Sequence, residues 1–556
     1  MHALDSTRPP GGGRRRPPGE FRLVAGTLAA SLGIGASRWG SYLGYAPLFL
    51  TDVLLAAATV HFAVIRLGLP TRRPGGGLDG GLDGGLDGGL GGGPGGGPGN
   101  RWRDRAGEAG SGRPRSGPVP VWELLVALFA GYVLARFAGG GNHSMAALRD
   151  LTPYAYSAVA LLAGRAYLAA GRRPRAATGR FLSAVTLLHL SWVALVVLIP
   201  AIPTVTPALP GSHGLTIFTL RPDFDGAVLG LTAGLRLVRF LRGGRAVNGL
   251  IVLVCLGLSA SMPSRAGVLA ALAAAVTAVA LTMCARPATA TGAETATGAA
   301  AGIGTAAAAT TEIGTGDPGG RGQRRRLTAV TLLLVAVAAL GMVAPMTTAG
   351  SKLLAGFGLQ PPSNTLDSAG IGTTHARETA WHAVLGYVDE THSRALGVGF
   401  GVNIVNAAGA TSALSGSLLV RSPHNYLVGL YARTGLVGVA LFLGIVVAAI
   451  GAVLTLRRDI ADDPLLLAAT LAPAAILTSA VMGVVLESPF GAVPFFWSVG
   501  VLLGARAERV AQRAAAPATP ASVTRASVTP VAVTPVAATP APVPSVRAVA
   551  GVPLRQ

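Results

Sequence analysis

The sequence predicts an all-α protein: a polytopic transmembrane helical bundle of about 12 spans, with one large outer loop carrying short amphipathic helices. Three observations lead there. Of 556 residues, 51% are hydrophobic and only 12% charged, with a mean hydropathy of +0.54. A soluble domain carries about a quarter charged residues, so this chain has too little polar surface to coat a soluble particle. The apolar residues are gathered into runs of about 20, the length that crosses a bilayer's hydrocarbon core as a helix. The basic residues give a net charge of +21 and stand in clusters beside those runs. Membrane orientation and anionic lipid account for that placement. A basic patch interleaved with aromatic residues, of the kind that stacks on bases, is absent from the sequence, so nucleic acid is not an expected partner.

In chain order, a segment 1–21 with Arg14, Arg15 and Arg16 precedes spans at 22–40 and 44–68. No clear cleavage site follows the first apolar stretch, which therefore reads as an uncleaved span. Residues 69–118 form a Gly-rich cytoplasmic linker with a repeated GLDG. Its Asp79, Asp83 and Asp87 lack the nonapeptide pattern of calcium-binding β-rolls and read as a linker repeat. Spans at 119–138, 151–170, 181–203, 224–241, 247–262 and 265–285 fill region 119–285. The span at 22–40 is interrupted by Arg38, and that at 224–241 carries Arg236 and Arg239. An Ala/Thr/Gly-rich linker, 286–326, leads to a span at 327–347. A large extracytoplasmic loop, 348–432, is followed by region 433–505 with spans at 433–455, 464–486 and 490–505, and then by a Pro/Ala/Thr-rich tail, 506–556. The low-complexity segments cannot bury a core and read as disordered linkers or tail.

Arginine placement sets the orientation. With the N-terminus inside, the cytoplasmic segments collect Arg72, Arg73, Arg101, Arg103 and Arg105, then Arg172, Arg173, Arg175 and Arg180. They go on to collect Arg242 and Arg245, Arg324 to Arg326, Arg457 and Arg458, and Arg506 and Arg509. Both chain ends are then cytoplasmic in a multi-pass protein of a bacterial inner (plasma) membrane. Ala, Gly, Pro and Arg richness suggests a high-GC genome. Cys255 and Cys284 lie in or at the end of apolar runs, so neither a disulfide framework nor a zinc site is expected.

The outer loop 348–432 is the place to look for function, being long and normal in composition. From Arg377 it reads RETAWHAVLGYVDETHSRALGVGFGVN. Trp381, Val384, Leu385 and Val388 recur at helical spacing and predict an amphipathic helix on the outer surface. Gly397, Gly399 and Gly401 lack the strand-to-helix context of a nucleotide-binding turn. Further on, RSPHNYLVGLYARTGLVG runs from Arg421 into a span, with Ser422 and Asn425 suited to start a helix. His424 then sits at the membrane interface, where a neutral imidazole can accept a proton. An interfacial histidine bonded to backbone fits the local sequence at least as well. Arg265 stands where the eighth span begins, on the outer side that the positive-inside bias disfavours, although one such arginine can simply snorkel to headgroups. Arg265, Arg377 and Arg421 together suit an anionic group such as a diphosphate, because guanidinium matches phosphate geometry.

The order of these features resembles the O-antigen ligase and polymerase family. The matching residues are Ser264, Arg265 and Gly267; Arg377 and Trp381; Gly397, Gly399 and Gly401; and His424, Asn425, Tyr426, Leu427, Leu430, Gly435, Leu436 and Gly438. The resemblance covers roughly 247–500. One departure is Arg433, where the family often has Glu, which puts a role for that carboxylate in doubt. The resemblance implies a metal-independent, inverting glycosyltransferase without a cofactor. It would move a glycan from an undecaprenyl-diphosphate carrier in the bilayer's outer leaflet to a glycan or lipid-glycan acceptor. His424 would be the catalytic base, with Arg265, Arg377 and, more weakly, Arg421 binding the diphosphate. Two other readings stay open: a transporter or flippase of lipid-linked sugars, and a scaffold for envelope synthesis.

Overall fold

The computed structural model describes residues 120–208, 216, 218–262, 264–285, 365–414 and 420–515, with residue 331 and a few positions before residue 60. The span at 22–40, most of that at 44–68 and nearly all of that at 327–347 lie outside the described residues, as do the linkers and most of the tail. At 44–68 the described start is not helical: Gly44–Tyr45 pairs antiparallel with Leu48–Phe49. The chain divides into two units, Met1–Val510 and Ala511–Gln556, and the architecture below belongs to the first.

Beyond that short pair the described chain is mostly helical. The helices are α1 (Val121–Ala138), α2 (Met145–Ala155), α3 (Ala158–Ala169), α4 (Arg172–Leu198), α5 (Ile202–Val205), α6 (Pro222–Leu241), α7 (Ala246–Ser261) and α8 (Arg265–Cys284). They continue with α9 (Thr365–Glu390), α10 (Ile404–Ala407), α11 (Thr411–Leu414), α12 (Tyr426–Leu456), α13 (Pro464–Met482) and α14 (Pro489–Ala515). Six of them, α1, α4, α8, α12, α13 and α14, are long and apolar enough to cross a membrane. The predicted span at 151–170 is instead two helices, α2 and α3, which meet at Tyr156–Ser157 just after Pro153. Helix α6 carries Asp223, Asp225, Arg236 and Arg239, and α7 has only 16 residues.

Helices α6 and α8 pack through small residues. Gly226, Gly230 and Gly234 recur every four residues on one face of α6. A Cβ at Gly226 would collide with the Gly267 backbone, and one at Gly230 would stand 2.6 Å from Ala271 Cα. Between helices in lipid, where apolar burial gives little drive, such close approach supplies the association. It also sets the first turns of α6 and α8 side by side. Ser264 caps α8, its Oγ accepting the Gly267 N–H at 3.1 Å.

Helix α12 is bent at Gly435, whose φ of 65° leaves the helical region. The carbonyls and amides freed by the bend are taken up by the glycine-rich loop. Val398 N–H donates to Ala432 O at 2.8 Å and Gly399 N–H to Arg433 O at 3.1 Å. In return Leu436 N–H donates to Arg394 O at 2.9 Å. Gly397, at φ 73°, lies so near the Arg433 carbonyl that a Cβ would collide with it. The glycine motif therefore repairs a broken helix, as buried backbone groups require partners.

Of the stripe predicted on α9, Val384 and Val388 are covered by protein, and Trp381 and Leu385 are half-buried. Ala380, Val384 and Val388 form a small core with Ile404, Val405, Ala410 and Ala432. At the opposite end of the bundle, arginines close on acids: Arg165 on Glu123, Arg242 on Asp462, Arg175 on Glu508 at 2.7 Å and Arg509 on Asp459 at 3.2 Å.

Candidate functional site

The starts of α6, α8 and α12 and the end of α13 share one end of the bundle. Ser479 Oγ on α13 donates to Asp223 O on α6 at 3.2 Å. Arg377 Nη1 on α9 donates to Met482 O, the last residue of α13, at 2.8 Å. Trp381, one turn further along α9 and on the same face, donates its indole N–H to Pro423 O at 2.7 Å. That bond ties α9 to the segment just before α12.

His424 follows Pro423 directly and has φ 57°. Left-handed backbone is uncommon outside glycine and is held only where surrounding contacts determine it. Here the His424 N–H donates to Ser422 Oγ at 3.2 Å. Asn425 then caps α12, its Oδ1 accepting from Leu427 N–H at 2.9 Å and Val428 N–H at 3.2 Å. The half-buried imidazole is thus presented at the first turn of a helix, between Trp381's anchor and the cap.

Three of the residues singled out in the sequence come together. The Arg377 guanidinium acts electrostatically on both Arg265 and His424. A fourth group joins them: Asp223, which acts on both Arg377 and His424. A Cβ on Gly483 would stand 3.2 Å from Asp223 Oδ2, so this carboxylate lies beside the Met482–Gly483 corner that receives Arg377. Burial lowers the His424 pKa from its ordinary value, Arg377 pushes the same way and Asp223 opposes them. The imidazole is therefore held neutral, ready to accept a proton. Burial also lowers the Arg377 guanidinium, against Asp223, yet an arginine remains cationic under such shifts. Two guanidiniums and converging helix N-termini make this end attractive to an anion.

Arg421, expected beside Arg265 and Arg377, is placed elsewhere. It closes on Asp150 at 2.8 Å through Nη2 and at 3.2 Å through Nε, and also donates to Gly401 O at 3.0 Å. Arg433 reaches the same carboxylate at 3.2 Å. Burial works to raise the Asp150 pKa, and Arg433 and Arg421 outweigh it, holding the carboxyl below the usual range. The acid on α2 that engages Arg421 is not announced by any local pattern around Arg421.

Asp223 had a signal that went unread: acids in the first turn of a helix, here Asp223 and Asp225 after Pro222, complement its dipole. Asp150 had none, because its partners Arg421 and Arg433 are remote in sequence. Among the described residues no group of three His, Cys, Asp or Glu side chains is arranged to hold a metal ion. No family model matches the chain, and no curated protein matches it in sequence.

Proposed function

We propose that this chain is a membrane glycosyltransferase similar to the O-antigen ligases and polymerases, moving a glycan from an undecaprenyl-diphosphate carrier to an acceptor sugar. The observation that carries the reading is the meeting of Arg265 and Arg377 with a neutral, backbone-strained His424 at one end of the bundle. In this reading about 12 spans cross the bacterial plasma membrane, both chain ends are cytoplasmic and the site faces outward. Arginine supports that direction, because Arg175, Arg242, Arg457, Arg458 and Arg509 gather at the other end.

The acceptor hydroxyl oxygen attacks the anomeric carbon of the donor sugar from the face opposite the diphosphate. The new C–O bond forms as the bond to the diphosphate oxygen breaks, and the configuration inverts. His424 takes the hydroxyl proton. The electron pair leaves with the diphosphate, whose charge Arg265 and Arg377 stabilise. Arg421, engaged by Asp150, serves as a brace in this scheme.

A transporter of lipid-linked sugars has one observation in its favour. His189 on α4 and Asp225 on α6 face each other at 3.2 Å inside the bundle, with side chains 5% and 0% exposed. Ionisable pairs at such depth are frequent in transport pathways. One comparison separates the readings: lipid-linked glycan and surface glycan in cells with the wild type, a deletion, or His424→Ala. A transferase leaves undecaprenyl-diphosphate-linked glycan on the outer leaflet in both altered strains, with surface polymer lost. A transporter leaves it on the cytoplasmic leaflet. Normal polymer in His424→Ala removes His424 from the mechanism.

A further inference from the structure

At the arginine-rich end of the bundle, opposite His424, several guanidiniums meet a carboxylate: Arg175 meets Glu508, Arg242 meets Asp462 and Arg509 meets Asp459. Asp463 is engaged as the cap of α13, accepting from the Leu465 and Leu466 N–H groups. Arg236 on α6 differs. Among the described residues it has no carboxylate within ion-pair distance. Its Nη2 donates to Ser183 Oγ on α4 at 3.3 Å and its Nη1 to Asn248 Oδ1 on α7 at 3.4 Å. Both acceptors are neutral, and both bonds are long for their kind.

Those two bonds cross a cleft. Helices α4 and α7 both pack on α6 and scarcely touch each other, so α6 is the floor between them. One turn deeper α4 and α6 are joined directly, Thr232 Oγ1 donating to Thr186 O at 3.3 Å. Arg239, half-buried, lies one turn nearer the end on the same face of α6, and Arg180 stands in the same relation to Ser183 on α4. An arginine near a helix end can extend outward to the headgroups. Arg236 instead turns sideways onto Ser183, which is only 7% exposed. Its counter-charge has to come into the cleft. The helices on either side expose apolar side chains, Leu188 on α4 and Leu250 on α7 among them, which are the kind of surface that acyl chains lie against.

We propose that the cleft between α4 and α7 binds one anionic phospholipid from the leaflet at this end, with its phosphodiester held by Arg236 and Arg239 and Arg180 at the mouth. A guanidinium carries five N–H groups, and the bonds to Ser183 and Asn248 occupy two of those on Arg236. A phosphate oxygen accepts from the others in charge-assisted bonds, roughly twice as strong as bonds between neutral groups. A guanidinium set between helices without a counter-charge is unfavourable, and the phosphate relieves that cost. Basic clefts between membrane helices take lipid headgroups on this principle. A zwitterionic lipid brings its own cation beside the phosphate and is the poorer ligand. The site lies at the far end from His424 and stands apart from the transfer reading.

The test is native mass spectrometry of the full-length protein, purified in detergent and titrated with phosphatidylglycerol. The wild type should take up a first molecule well before a second. Arg236→Gln and Arg239→Gln should each raise the Kd of that first molecule about 10-fold, the loss of one charge-assisted contact. Arg458→Gln, which removes an exposed arginine at the same end, should leave it within about twofold. An unchanged Kd in Arg239→Gln overturns the proposal, and that variant decides the matter even where Arg236→Gln fails to fold. Equal weakening in Arg458→Gln also overturns it, because the binding would then follow overall surface charge. Phosphatidylcholine bound as tightly as phosphatidylglycerol would overturn the anionic ligand. Glycerol phosphate displacing the lipid at equal concentration would assign the cleft to a soluble phosphate ester and overturn the lipid.

Discussion

Two groups of arginines at the same end of the bundle meet different surroundings. Arg421 and Arg433 converge on one buried carboxylate, Asp150, and the Gly401 backbone completes the arrangement. Arg377 instead donates to a main-chain carbonyl, Met482 O, and shares its field with Arg265, His424 and Asp223. The first group joins α2, the glycine loop and α12 into one body through direct ion pairs to that carboxylate. The second gathers Arg265, Arg377, Asp223 and the imidazole of His424 at converging helix starts. Similar residues thus become a brace in one place, where two guanidiniums grip one carboxylate directly, and a candidate site in the other.

The contrast can be broken from either side. Asp150→Ala strips the acid from a buried pair of guanidiniums and should cost about 3–5 kcal/mol of stability. Thermal unfolding in detergent reads this as a large drop in Tm, and an unchanged Tm would deny the brace. Arg377→Lys should leave Tm alone and lower kcat/KM for the lipid-linked donor by about 10- to 100-fold, since a point charge does not replace a planar fork. Full activity in that variant would make Arg377 an interfacial anchor. The pH profile sharpens the picture further. His424 must be neutral to act, and its pKa is lowered, so the acidic limb of activity should lie below the ordinary imidazole value of about 6.5. Asp223→Asn removes an opposing influence and should move the limb to still lower pH, whereas Arg377→Gln should move it up. A limb indifferent to both would separate His424 from this cluster. The smallest effect belongs to the exposed Arg394–Asp389 pair, 2.5 Å apart on the loop surface. Arg394→Ala should change neither activity nor Tm measurably, as solvent screens such pairs.

Apolar runs alone located α1, α8 and α13 to within a few residues, and the start of α14, because a bilayer demands length and hydropathy and little else. Helix α4 was harder, since its first turns, from Arg172 to Arg180, carry four arginines outside the apolar run. Helix α12 begins at Tyr426, well before the apolar run at 433, and the Asn425 cap was the legible sign of it. The α6–α8 contact carried a warning in the Gly226, Gly230, Gly234 spacing. At the candidate site, Arg265, Arg377 and His424 stand out in the sequence because arginine at the start of an apolar run and histidine at a helix start are unusual in such a chain. Arg421 looks the same in sequence, and what sets it apart is its direct pair with Asp150, 271 residues away. Chemistry that depends on remote partners is written in packing, and local pattern does not carry it.

The central claim is that His424 is the base of a glycan transfer from a lipid diphosphate. Its most direct test is single-turnover transfer by the purified full-length protein, wild type against His424→Ala, with lipid-linked glycan from the deletion strain as donor. Loss of a positioned base should slow the chemical step by about 10²- to 10⁴-fold while donor binding persists. Transfer at the wild-type rate in His424→Ala, or no transfer by the wild type itself, would contradict the account.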